Sequence, residues 1–180
     1  MINPSSPLGT RVLTFLIRVY PTGVVSPRLA ELPAGSSLVL QVPYGGAYLR
    51  LAPTLWFIAG GTGIAPIRAM LRALLHTHDR PAVRVVYGAA TPQHLAFAAE
   101  LAKLVERLGG DITFTVDRPT DGWTGLIGPV TAHLALDQLA EDHQFMRCFV
   151  AGPPGMVTAV ERLLVDAGVP RNRIHADPFA

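Results

Sequence analysis

One stretch constrains this chain more than any other. The apolar run Leu55–Ala59 passes directly into Gly60-Gly61-Thr62-Gly63-Ile64-Ala65-Pro66, and a helical pattern comes next. A short apolar run that ends at glycines reads as a strand buried on both faces. Beyond it, Ile67, Met70, Leu71, Leu74 and Leu75 fall at i, i+3, i+4, i+7 and i+8, which is one face of a helix. The glycines between them permit a tight turn and close approach of a ligand to the main chain. Free N–H groups where the helix begins can then hold a pyrophosphate. Pro66 suits the first helical turn, where a missing N–H costs nothing. The pattern is not G-x-G-x-x-G, because Pro66 occupies the last position, and it is not a P-loop, because no Gly-Lys-Ser/Thr comes after it. Alone, such a turn also fits a purely structural bend.

The rest of the chain after Pro53 repeats this alternation. Val83–Tyr87, Ile112–Val116 and Cys148–Ala151 are further buried-strand runs, and Arg173–Ala176 is expected at a sheet edge. Leu101, Leu104, Val105 and Leu108 form a second helical stripe, and Met156, Val157, Val160, Leu163, Leu164 and Ala167 a third, stopped by Gly168 and Pro170. Strands alternating with helices predict an α/β fold with a Rossmann-like, doubly wound parallel sheet of five strands in the order 3-2-1-4-5. Ligands in such sheets bind at the carboxyl ends of the strands. A second rigid corner is expected there, because Ala151-Gly152-Pro153-Pro154-Gly155-Met156 closes the fourth strand and opens a helix.

Before Pro53 the texture differs. Leu13, Phe15, Ile17 and Val19 alternate with Thr14, Leu16 and Arg18, and Leu38, Leu40 and Val42 keep the same period of two. Ala47–Leu51 reads as a third strand and Ser26–Leu32 as a helical turn. Three strands are too few to close a barrel, so this piece is expected to pair with a second copy, a partner subunit or a missing N-terminal half. With 49% hydrophobic and 16% charged residues, the chain has ample material for a core. Of its 15 basic residues all but Lys103 are Arg, scattered without a basic run, so nucleic acid is not indicated. No apolar run reaches the ~18 residues of a membrane helix. The stretch Val12–Tyr20 lacks the features of a signal peptide, and cytoplasmic localisation is expected.

Five motifs in order carry a resemblance: Phe57–Pro66, Tyr87-Gly88-Ala89-Ala90-Thr91-Pro92, Gly122-Trp123-Thr124-Gly125, Ala151–Met156 and Asp177-Pro178-Phe179. In order and spacing they resemble the ferredoxin–NADP reductase superfamily, above all the NADH-dependent reductase components of bacterial oxygenases. The resemblance runs from about Thr10 to the end. It implies that Gly60, Gly61, Thr62, Gly63, Ile64, Ala65 and Pro66 hold the dinucleotide pyrophosphate, with Thr62 near the nicotinamide. It also implies that Tyr87, Gly88, Ala89 and Ala151 belong to the cofactor site, that Gly152, Pro153, Pro154 and Met156 flank the nicotinamide ribose and ring, and that Phe179 covers the flavin ring until nicotinamide displaces it. Gly23-Val24-Val25-Ser26 resembles the flavin pyrophosphate element, and Val42-Pro43-Tyr44-Gly45 the family's G-P-x-G turn.

The departures from that family are specific. Ala151 stands where many members have Cys. After Tyr87 and Gly88, Ala89 and Ala90 offer a 2′-phosphate no charge, so NADH is expected over NADPH unless Arg84 or Arg118 substitutes. The R-x-Y-S flavin motif is missing, and Asn3-Pro4-Ser5-Ser6 resembles the segment immediately after that motif, so only the second half of a flavin barrel is represented. Residues 1–52 therefore read as a partial antiparallel β-barrel for FAD or FMN, and residues 53–180 as the NAD(P)-binding reductase domain. The implied function is hydride transfer from NADH to a flavin and electron transfer to a separate acceptor protein. The alternatives are a non-catalytic dinucleotide-binding remnant, or a piece of a longer reductase.

Other candidates are weaker. His76 and His78 read as a solvated pair, and His94, His133 and His143 lack ligand spacing. No Gly-x-Ser-x-Gly elbow supports hydrolase chemistry. Asp117 and Arg118 are expected to pair with each other, and Cys148, the single cysteine, to be buried.

Overall fold

The computed structural model describes residues 12–40, 47–135 and 144–178. Its centre is a six-stranded sheet built from β1 (Thr54–Gly60), β2 (Ala82–Ala89), β3 (Asp111–Val116), β4 (Leu126–Ile127), β5 (Met146–Gly152) and β6 (Ile174–Pro178), in the order β4-β3-β2-β1-β5-β6. Every pairing is parallel. The expected order of five strands is present, and one strand is added outside β3. Leu126 and Ile127 are both exposed, so β4 has no hydrophobic period for sequence reading to detect.

A short helix, α1 (Ser26–Ala30), precedes the sheet, and helices α2 (Ile64–Leu74), α3 (Ala98–Arg107) and α4 (Pro154–Asp166) connect its strands. The strands alternate their side chains between two cores. Leu55, Phe57 and Ala59 of β1 face α2 and α3 with Phe149 and Ala151, whereas Trp56 and Ile58 face α4 with Cys148 and Val150. All seven residues of β1 are buried, which explains why its sequence is a continuous apolar run rather than an alternating one. Phe57 and Phe149 stack at 5.3 Å across the β1–β5 pair. Cys148 lies in this interior as expected, and burial pushes its thiol up to about 12, which leaves it inert at neutral pH.

The segment before the sheet departs from expectation. Among its described residues there is α1 and an isolated bridge at Phe15, but no strand. The expected strands at Leu13–Val19 and Ala47–Leu51 form no ladder, and neither do Leu38–Leu40. Val42 and the Val42–Gly45 turn lie outside the described residues. The physical reason is the one that makes isolated hairpins marginal: a strand is stabilised by neighbours on its edges and by a covered face. Here Leu38, Val39 and Leu40 are all exposed, Val39 completely. Leu16, Leu49 and Ala52 do reach the α2-side core.

Candidate functional site

The carboxyl ends of β1, β2 and β5 stand in register. Gly60 pairs with Gly88 on one side, and Ala59 pairs with Ala151 on the other. From Gly60 the chain makes one 3₁₀ turn, Gly61–Gly63, and enters α2 at Ile64. From Gly152 it passes through Pro153, whose extended backbone precedes the first turn of α4 at Pro154.

These two corners lock into one another, and the glycines are the reason they can. A Cβ on Gly63 would overlap the carbonyl of Ala151, and one on Gly152 would stand 3.0 Å from both the N and the O of Gly60. A Cβ on Gly60 would overlap the Met156 sulfur and approach Pro153 at 3.1 Å. Main chain therefore packs on main chain between the strands. Gly61 is the opposite case. Its φ is +54°, a left-handed conformation natural to glycine, and nothing lies within 4 Å of where its Cβ would point. Gly155 also faces open space. The turn thus presents an unobstructed main-chain face at Gly61, just ahead of α2; the Ile64 N–H is taken up inside the turn by the Gly61 carbonyl and Pro66 has none, so the open face is that of Gly61 and Thr62. That face fits a pyrophosphate. Thr62 is half-buried beside it, while Ile64, Ala65 and Pro66 are buried and support the turn from behind.

The β2 end behaves differently. Tyr87 is fully buried; its phenol donates to the His94 carbonyl at 3.3 Å and accepts from the Ala96 N–H at 3.1 Å. Burial raises its pKa well above the ordinary value. Tyr87 thus anchors the loop after β2, and its side chain does not reach the cleft. A Cβ on Gly88 would overlap Val130, which plugs the space beneath it from the 3₁₀ turn Val130–His133. Sequence reading missed Val130, because a lone valine in a short turn carries no periodic signal.

Ala89 is buried, and the Ala89 and Ala90 carbonyls accept from the N–H groups of Asp117 and Arg118 at 3.1 and 3.0 Å. The two reserve arginines are now distinguishable. Arg84 lies at the other end of β2, about 13 Å upstream of Gly88 at strand rise, and pairs with Asp111 at 3.4 Å. Arg118 is exposed beside Ala90, at the ligand end. Contrary to expectation, Asp117 and Arg118 make no ion pair with each other among the described residues.

A brace holds α2 in place. Arg68 is buried, its Nε lies 3.0 Å from both carboxylate oxygens of Glu100 on α3, and its Nη2 lies 2.9 Å from Oε1. Its guanidinium also sits 4.5 Å from the ring centre of Phe97, a non-glycine residue at φ +61°. The signal for this brace is an arginine in the apolar half of a helix, next to Ile67.

On the flavin side, Gly23 and Ser26 form a compact turn. The Gly23 N–H donates to the Tyr20 carbonyl at 2.8 Å, and the Tyr20 N–H donates to Ser26 Oγ at 3.0 Å. Phe179 lies outside the described residues; Pro178, which precedes it, pairs with Gly152.

Comparison with known proteins gives the same assignment. Residues 57–162 match the family described as the oxidoreductase NAD-binding domain. The anthranilate 1,2-dioxygenase electron transfer component of Acinetobacter baylyi is 32% identical over 96% of this chain and 51% of its own length. NADH-cytochrome b5 reductase 1 of Candida glabrata is 30% identical over 87% of this chain and 57% of its own. The solved ferredoxin reductase in carbazole 1,9a-dioxygenase superposes with a TM-score of 0.73 at 30% identity, over 93% of this chain and 51% of that one. The chain thus spans about half the length of the curated relatives it matches. It belongs to the oxidoreductase NAD-binding domain family, within the ferredoxin–NADP reductase superfamily.

Proposed function

We propose that this chain is the NADH-binding part of a flavin-dependent electron-transfer reductase, passing electrons to a separate redox or oxygenase partner. The observation that carries the reading is the interlocked pair of corners at Gly60–Gly63 and Ala151–Met156, with Gly61 facing open space. Bound NADH supplies a hydride, and the protein's part is to bind and orient its donor. Gly61, Thr62 and the N–H groups around them hold the pyrophosphate. Gly152, Pro153, Pro154 and Met156 wall the nicotinamide side, and Ala151 leaves that wall without a thiol. Phe179 shields the flavin ring. Nothing in this scheme asks a side chain to act as acid or base.

The division of labour we propose assigns residues 53–180 to the dinucleotide and residues 1–52 to half of a flavin barrel, with Gly23 and Ser26 toward the flavin phosphates. The exposed apolar residues of that segment, among them Val19, Leu38, Val39 and Leu40, suit a surface that is covered in the working protein. A barrel half carrying R-x-Y-S, in the same chain or a partner, is the cover we favour; a second copy of this chain is the alternative. No helix of the described residues is long and apolar enough to cross a membrane. We place the protein in the cytoplasm, where a lone thiol stays reduced.

The test is to titrate NADH into the protein, then add flavin and a barrel half bearing R-x-Y-S and follow NADH oxidation. Binding before the addition and oxidation only after it support the reading. NADH binding with no oxidation after the addition would favour a non-catalytic binding module. Absence of NADH binding would remove the proposal altogether.

A further inference from the structure

One side-chain cluster outside the dinucleotide site joins the N-terminal segment to the sheet. His175 on β6 is bracketed by two arginines: Arg50 Nη1 lies 3.3 Å from its Nδ1, and Arg147 Nη1 lies 3.2 Å from its Nε2. The imidazole ring packs on Phe149 at 5.1 Å, and Phe149 stacks on Phe57, so one aromatic row crosses β6, β5 and β1. Arg50 itself is held in shape by Tyr48, whose ring centre lies 3.8 Å from the guanidinium and whose carbonyl accepts from Nη1 at 3.3 Å.

We propose that His175 is a positioning residue: as a neutral imidazole it latches the segment around Arg50 onto the β5–β6 edge, and its protonation releases that segment. A neutral imidazole has one acceptor nitrogen, and a protonated one has none. Guanidinium groups only donate, so the neutral ring accepts from one of the two arginines, and a proton on His175 removes that single acceptor and gathers three cations. The charged groups around the ring come from three places. Arg50 arrives from the N-terminal segment and Arg147 from β5. Asp177 lies two residues along β6 on the same face, buried at 5% exposure and partnered. Arg173, just before β6, is turned to the Met146 carbonyl at 3.4 Å. Burial first, then the Arg50 and Arg147 charges, lower the His175 pKa from its ordinary 6.5. The part of that lowering owed to the docked segment, the Arg50 charge and the burial it adds, means that the docked segment favours the neutral ring. The latch is therefore at full strength above the ordinary value and is lost as pH falls through it toward the lowered value of the docked state.

This inference stands on the cluster alone and does not require a flavin. The experiment is amide hydrogen exchange of residues 47–52, corrected for intrinsic rates, together with NMR titration of the His175 ring. Protection of that segment should be lost progressively as pH falls from about 7.5 to about 5.5, while β1 stays protected. His175→Gln, which can accept from one arginine but cannot gain a proton, should hold its protection across that range. Arg50→Met should remove the pH dependence by leaving the segment unlatched throughout, and should move the His175 titration back up. If His175→Gln does not fold, as judged by β1 protection, the Arg50→Met result decides. A His175 ring that titrates at or above 6.5, or equal acid loss in wild type and variants, would overturn the proposal.

Discussion

The sheet and the segment that precedes it are made of similarly apolar residues, yet they end in different physical states. In β1 every residue is buried, because parallel neighbours satisfy both edges and helices cover both faces. In the segment, Ile17, Val19, Leu38 and Leu40 have the alternation of strands but no ladder among the described residues, and they remain exposed. Hydrophobic pattern specifies which face a strand would bury. It does not provide the neighbour against which that face is buried. A parallel βαβ chain brings its own neighbours in sequence, whereas half a barrel depends on strands from elsewhere.

That contrast is open to direct attack by mutation. Phe149→Ala should be the most damaging change, costing about 3–5 kcal/mol because it empties the centre of the aromatic row; chemical denaturation measures it. Gly63→Ala should come next, at about 1–3 kcal/mol, because the new methyl meets the Ala151 carbonyl and forces the two corners apart. It should also weaken NADH binding more than it weakens the fold. NADPH should bind more weakly than NADH by about 1.4 kcal/mol, or tenfold, as Ala89 and Ala90 give the 2′-phosphate nothing to bond. Arg118→Ala should widen that gap if Arg118 serves as the reserve cation, and calorimetric titration of both cofactors checks it. Val39→Asp should do least, within about 0.5 kcal/mol, since the side chain is already in water. A large loss from Val39→Asp would mean that the segment is packed in solution, and the contrast would fail.

The legible parts of the molecule are those in which local pattern and tertiary environment agree. The run Leu55–Ala59, the stripe Ile67–Leu75 and the corner Ala151–Met156 each carry their own signal, and their order leads to the strand order. The parts that escape carry a weaker signal or none. Two exposed residues make β4, a single valine fills the space under Gly88, and the Arg68–Glu100 brace joins residues far apart in the chain. Tyr87 reads in the sequence as part of the cleft because it sits beside Gly88. A strand alternates faces, so Tyr87 and Gly88 point opposite ways, and the phenol is turned toward the Pro92–Ala96 loop.

In the proposed site, dinucleotide binding turns on Gly61, the one glycine of the first corner that faces open space. Its replacement by alanine meets no protein atom within 4 Å but puts a methyl into the space we propose for the pyrophosphate. A left-handed alanine costs about 1 kcal/mol, which the fold can absorb. The decisive measurement is NADH titration of wild type and Gly61→Ala, each with its thermal transition recorded. The expected result is one NADH site in the wild type and at least about a tenfold loss of affinity, 1.4 kcal/mol, in a variant that still melts cooperatively. Unchanged NADH affinity in folded Gly61→Ala would contradict this assignment of the site.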